Sequence, residues 1–212
     1  RQMCIRDRNM HEKPDSMRMK QAAAAVGQCS LMYLYDKFFG DYDKTVAQIL
    51  LNAEDIDQEE KKENLINTFN ALLEMGVIPI VNENDSVSYK EIESEDRLFG
   101  DNDMLSAVVA VLCRARHLVI LSDIDGFYDH DPRLYPNAKL IEQIDTIDDS
   151  VYALAGGAGS RRGTGGMRTK LQAAALATSQ GTDTIVTNGK HPEALYDIVK
   201  GLHAGTLFPG KI

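Results

Sequence analysis

The chain has 212 residues, 43% of them hydrophobic, enough for one large domain or two small ones with a sizeable core. A formal net charge of -9 argues against a binder of nucleic acid or of an anionic membrane surface, and the longest apolar run, residues 105–113, is far too short to span a bilayer. Three widely spaced cysteines (Cys4, Cys29, Cys113) fit reduced thiols in a cytoplasmic protein better than a disulfide frame, and the five histidines show no zinc-like spacing.

Residues 1–10, "RQMCIRDRNM", have no periodicity and lead into no element; they are expected to be foreign to the native chain. Residues 19–39 carry apolar side chains at helical spacing. Gly27 inside that helix costs about 1 kcal/mol relative to alanine, which points to a close packing contact. "TVAQILL", residues 45–51, reads as a buried strand. Residues 58–75 form a charged amphipathic helix stopped by Gly76, and "VIPIV", residues 77–81, is a second strand. Residues 86–99 are polar and read as a surface excursion or hairpin. A helix with an apolar face follows over residues 103–114, then a third strand, "HLVIL", over residues 117–121. Residues 140–144 are expected to add a short fourth strand, and residues 147–155 and 167–180 to be helical. "DTIVTNG" is a strand ending in a turn, and residues 192–201 a last helix. Short apolar strands alternating with helices give an α/β fold, a largely parallel sheet covered on both faces in three αβα layers.

Open α/β sheets bind ligands at the carboxyl ends of their strands. Polar clusters sit at three such ends: "NENDS" (residues 82–86), "SDIDG" (residues 122–126) and "TNGK" (residues 187–190). A fourth, "GDND" (residues 100–103), precedes a helix. In the first, asparagine amides can donate to a carboxylate and Asp85 can accept from an ammonium group, which together suit an amino acid; a capped turn is the plainer alternative. In "GDND", Asp101 or Asn102 can cap the helix and Asp103 complements its dipole; the functional alternative puts Asn102 on a substrate and uses Asp103 to orient lysines or position magnesium. "SDIDGFYDHDP" lacks calcium-loop spacing and reads as a nucleotide-facing strand end followed by an Asp-Pro turn.

The glycine-rich stretch "GGAGSRRGTGGMRTK", residues 156–170, is neither a Walker A motif, since Thr169 precedes Lys170, nor a dinucleotide fingerprint. It still has the logic of a phosphate site. Glycines let backbone amides approach an anion, the following helix N-terminus adds about half a positive charge, and Lys170 can reach a transferring phosphoryl group. A surface loop with solvated arginines is the alternative.

In this order, "IPIVNENDSVS", "FGDNDMLSA", "LSDIDGFYDHDPR" and "GTGGMRTKLQAA", with "KQAAAAVGQ" near Lys20 and "GTLF" near Gly205, resemble the amino acid kinase family. The likeness is to those members that phosphorylate the side-chain carboxylate of L-glutamate, the first step of proline biosynthesis, and runs over residues 11–208. No single piece is specific; their combination is. The resemblance implies catalytic roles for Lys170 and Asp103, with Lys170 stabilising charge on the γ-phosphoryl group and Asp103 organising the cations around it. It implies glutamate binding by Asp85, Asn102 and Asn82. It implies ATP binding by Ser122 and Asp123, with serine where many relatives carry threonine, and by Thr164, Gly165, Gly166, Met167, Arg168, Thr169 and Lys170. Mg2+ with ATP, a homo-oligomer and feedback inhibition by proline are implied as well; no metal held by protein side chains, nucleic acid or membrane is expected. Another family member, acting on acetylglutamate, aspartate or UMP, or a non-catalytic nucleotide- or amino-acid-binding fragment, is the alternative.

Family members begin with a strand bearing a lysine and phosphate-contacting glycines, followed by a Ser-Gly-Ala segment, and this chain shows neither. Residues 11–212 are therefore expected to be an N-terminally truncated kinase domain without its first strand or strands and without the RNA-binding-like C-terminal domain of many relatives. Such a fragment is expected to be inactive or nearly so, with sheet edges left open.

Overall fold

A computed structural model describes residues 16–87, 102–155 and 164–211. The chain divides into two compact units, Arg1–Gly100 and Asp101–Ile212. Residues 1–10, most of the polar stretch 86–99 and the glycine-rich residues 156–163 lie outside the described residues.

The first unit opens with helix α1, Met17–Gly40, whose N-terminal amide at Met19 is capped by the Ser16 hydroxyl at 3.4 Å. Gly27 is its buried residue, in keeping with the close packing expected there. Strand β1, Val46–Leu51, leads into a short helix that the sequence pattern does not announce, α2, Ala53–Asp57. The Asp55 carboxylate reaches back to accept the Asn52 N–H at 2.8 Å, so a turn of helix forms without any apolar periodicity to signal it. Helix α3, Glu59–Glu74, buries Phe69 and ends where Gly76 takes φ +70°. The Gly76 N–H donates to Leu73 O at 3.0 Å and the Val77 N–H to Leu72 O at 2.9 Å, a left-handed stop that turns the chain into the next strand. Strand β2, Ile78–Glu83, lies parallel to β1, in register from Val46 opposite Ile78 to Leu51 opposite Glu83. The strand thus runs two residues past the apolar run that announces it, so Asn82 and Glu83 belong to the ladder and not to the turn.

The second unit is built from helix α4, Asn102–Leu112; strand β3, His117–Ser122; helix α5, Asp149–Ala155; helix α6, Thr164–Ser179; strand β4, Asp183–Asn188; helix α7, Ala194–Val199; and strand β5, Thr206–Phe208. Its sheet has the order β3-β4-β5, parallel between β3 and β4 and antiparallel between β4 and β5. Helices α4 and α6 pack together through alanines; Ala107, Ala110, Ala173, Ala174 and Ala177 all lie in the core cluster. Methyl-sized side chains allow two helix backbones to come close while Leu171, Ile120, Val186 and Phe208 fill the space against the sheet.

The expected strand over residues 140–144 does not form. Leu140 and Gln143 make only isolated bridges, to Tyr128 and Leu207, and Ile144 is buried as part of an irregular excursion. A buried hydroxyl replaces the ladder. Thr206 Oγ1 accepts the Phe127 N–H at 2.7 Å and donates to Ile141 O at 2.6 Å. Gly126 makes room for it, since a Cβ there would stand 2.6 Å from Thr206 Oγ1; the neighbouring Gly205, at φ +77°, lets the chain pass Val186 O, with which a Cβ would collide. The motif "GTLF" is therefore a junction, and Thr206 is wholly buried within it.

Two stability outcomes follow. Nothing lies within 4 Å of a Cβ on Gly76, so Gly76→Ala should cost only its left-handed backbone, about 1–2 kcal/mol in urea unfolding. Thr206→Val keeps the shape but strands a buried N–H and a buried carbonyl, and should cost roughly 2–4 kcal/mol; a loss below that of Gly76→Ala would refute the junction role.

Candidate active site

One candidate cluster, largely buried, is in the second unit. Asp103 sits in the first turn of α4 and Lys170 in the second turn of α6, and the alanine packing of the two helices brings them together. Lys170 Nζ lies 2.8 Å from Asp103 Oδ2, with side-chain exposures of 15% and 16%. The Thr169 hydroxyl stands 3.1 Å from the same carboxylate oxygen and 3.0 Å from Gly166 O. Asp103 is also fixed along its backbone, where its carbonyl accepts from the Ser106 hydroxyl at 2.7 Å. A lysine held this way is fixed in place and largely withdrawn from water.

The residues grouped by sequence as one nucleotide loop meet different neighbours. Helix α6 begins at Thr164, three residues earlier than its apolar pattern suggests, so Gly165 and Gly166 lie in its first turn. Met167 packs against the core, and the exposed Arg168 lies with its guanidinium 5.8 Å from the Tyr152 ring centroid on α5. Thr169 and Lys170 turn toward Asp103.

At the carboxyl end of β3, the Ser122 hydroxyl is 3.3 Å from the exposed Asp123 carboxylate, and Ser122 O accepts the Gly189 N–H at 2.7 Å. Sequence reasoning named these two residues but missed the side-chain network beside them. Asn188 Nδ2 donates to Asp125 Oδ1 at 2.6 Å, and the Tyr128 hydroxyl to Asp125 Oδ2 at 3.0 Å. These bonds, that from Asn188 foremost, hold the Asp125 carboxyl below its ordinary range. The signal was available: Asn188 follows the last apolar residues of β4 just as Ser122 follows those of β3, and the two are directly opposite in register. Asn102 is the exposed first residue of α4; Asp101 lies outside the described residues.

In the first unit, Asn82 is the penultimate residue of β2. Its Nδ2 donates to Gln28 Oε1 at 3.0 Å, and its Oδ1 accepts the Glu83 N–H at 3.0 Å. Asp85 is half-buried in the turn that follows, closed by the Val87 N–H on Asn84 O at 3.1 Å. Gln28 is a second polar residue that sequence reasoning passed over. Cys29 and Cys113 are free thiols, and burial raises the Cys113 pKa. Among the described residues no helix is long and apolar enough to cross a membrane.

The sequence profile of the amino acid kinase family matches residues 2–188. The chain belongs to the amino acid kinase family. It is 54% identical over 202 residues to a glutamate 5-kinase of Clostridium perfringens, covering 95% of this chain and 75% of the relative. A glutamate 5-kinase of Listeria innocua is 48% identical over 199 residues, covering 94% and 72%. Among solved structures, the isopentenyl phosphate kinase of T. acidophilum in a product complex superposes with a TM-score of 0.61 at 20% identity, over 93% of this chain and 73% of that one. That likeness supports the α/β kinase fold with parallel strands. Within this family frame, the largely buried Asp103–Lys170 pair is the candidate feature of the second unit.

Removing one partner of a mostly buried ion pair leaves the other charge uncompensated. Asp103→Ala should therefore lower unfolding stability by about 2–4 kcal/mol, and the double variant with Lys170→Met should recover part of that loss. Additive losses in the double-mutant cycle would show that the two side chains do not act as a pair.

Proposed function

We infer that this protein transfers the γ-phosphoryl group of ATP to the side-chain carboxylate of L-glutamate, giving L-glutamyl 5-phosphate and ADP, the first step of proline biosynthesis. The observation that carries the reading is Lys170, held 2.8 Å from Asp103 on the helix that follows the glycine-rich stretch. The high identity to glutamate 5-kinases supports the choice of substrate.

A carboxylate is already a nucleophile, so the reaction needs no general base. What it needs is two anions brought in line and their mutual charge neutralised. Lys170 stabilises the charge on the transferring group, and Asp103 keeps that ammonium aimed. The first-turn amides of α6, from Thr164 through Met167, with Arg168 and Thr169, receive the ATP phosphates, and Ser122 and Asp123 lie along the nucleotide. Asn82, Asp85 and Asn102 bind glutamate: the amides suit its carboxylates and Asp85 its ammonium group. Mg2+ enters as part of the substrate Mg-ATP, on phosphate oxygens and water. Cytoplasmic location, a homo-oligomeric assembly and feedback inhibition by proline belong to the same reading.

The test is ADP release and hydroxylamine trapping of the acyl phosphate, with the full-length protein and Mg-ATP. L-glutamate should support turnover, while N-acetyl-L-glutamate, L-aspartate and UMP should not. Lys170→Met should lower kcat by about 100- to 1,000-fold. Turnover on one of the other acceptors in place of glutamate would reassign the substrate, and nucleotide binding without turnover on any would make the protein a binding module.

A further inference from the structure

Gln28 follows the buried Gly27 on α1, and the polarity of its contact with Asn82 is fixed from the strand side. The Glu83 backbone N–H donates to Asn82 Oδ1. A backbone N–H can only face an acceptor, so Asn82 must turn its NH2 group toward Gln28, and Gln28 must answer with its oxygen. Gln28 Nε2 is thereby directed elsewhere. It is buried and has no hydrogen-bond partner among the described residues. A buried amide nitrogen without an acceptor carries the full desolvation penalty of the group, and native proteins keep few of them. Here two successive hydrogen bonds hold the donor in place.

We propose that Gln28 is a substrate-binding residue beside Asn82: its Nε2 donates to the α-carboxylate of bound L-glutamate, and Asn82, through one of its two amide hydrogens, also aims it. The proposal rests on the glutamate kinase activity inferred above. The ligand must supply an acceptor, and a carboxylate transferred out of water requires donors. Of the two carboxylates of glutamate, the one on the side chain must keep a lone pair for attack on phosphorus. The α-carboxylate is a spectator, and a neutral amide can hold it without adding charge to the reacting end. The arrangement also gives "GQ" in "KQAAAAVGQ" a physical reason: glycine lets the helix approach closely, and glutamine delivers the donor.

Two variants in the full-length protein test this. Gln28→Glu keeps an oxygen toward Asn82 and exchanges the NH2 group for a second oxygen; Gln28→Met keeps the length and removes both polar atoms. Each is checked for folding by circular dichroism, then assayed for KM and for L-glutamate binding by calorimetry. Both should raise the KM and Kd for L-glutamate roughly 10- to 100-fold, with the KM for ATP within about twofold. Inhibition by γ-aminobutyrate, which keeps the amine and the reacting carboxylate but lacks the α-carboxylate, should be the same in wild type and variants. Folded variants with a wild-type glutamate KM would overturn the role of Gln28 and leave the kinase activity standing. A parallel loss of γ-aminobutyrate binding would overturn the assignment to the α-carboxylate. If wild type itself neither binds nor phosphorylates L-glutamate, the functional reading fails, and this proposal with it.

Discussion

The Asp103–Lys170 contact depends on the close approach of two helices whose buried positions in the core cluster are largely alanines. Leucines in place of Ala107, Ala110, Ala173 or Ala177 would force α4 and α6 apart by a side-chain thickness, and the 2.8 Å contact between Asp103 and Lys170 could not be kept. The core of the second unit is thus a spacing device as well as a source of stability. The device works at the helix ends, where backbone N–H groups have no intrahelical acceptors. Asp103 lies in the first turn of one helix and Lys170 in the second turn of the other, so the side-chain charge and the helix dipole are presented from the same frame.

Much of this was legible in the sequence. Short runs rich in β-branched and apolar residues gave β1, β3 and β4 to within a residue or two, although His117, Leu121 and Gln48 in them stay exposed. Gly76 marked the end of α3 because only a left-handed residue can close that turn without strain. The Asp103–Lys170 contact was foreseeable only through motif order, since 67 residues separate the partners and no local pattern links them.

What stayed hidden was held by single polar atoms. Helix α2 rests on a carboxylate reaching back to a backbone amide. The expected strand at residues 140–144 is an irregular segment held by the Thr206 hydroxyl and by backbone bonds to Leu207, and apolar pattern cannot tell those arrangements apart. Strand β2 outruns its apolar stretch because its ladder with β1 continues through polar residues, and this makes Asn82 a rigid strand residue rather than a mobile turn residue. Gln28 escaped notice for a related reason: its significance lies in one unmatched nitrogen, which is a property of packing and not of residue type.

The Thr206 junction also sets an order of events during synthesis. Its hydroxyl ties together Phe127 and Ile141, and the Phe127 partner lies 79 residues upstream in the chain. At about 5–20 residues per second, the excursion after β3 leaves the ribosome roughly 4–16 s before the residue that fastens it. Strand β4, which β3 needs for its parallel partner, arrives late as well. The second unit therefore cannot consolidate piece by piece as it emerges; it waits for its last strand. During that interval the apolar segments of β3 and of the excursion after it are without their native partners, the condition in which apolar chain is most exposed to association with other copies.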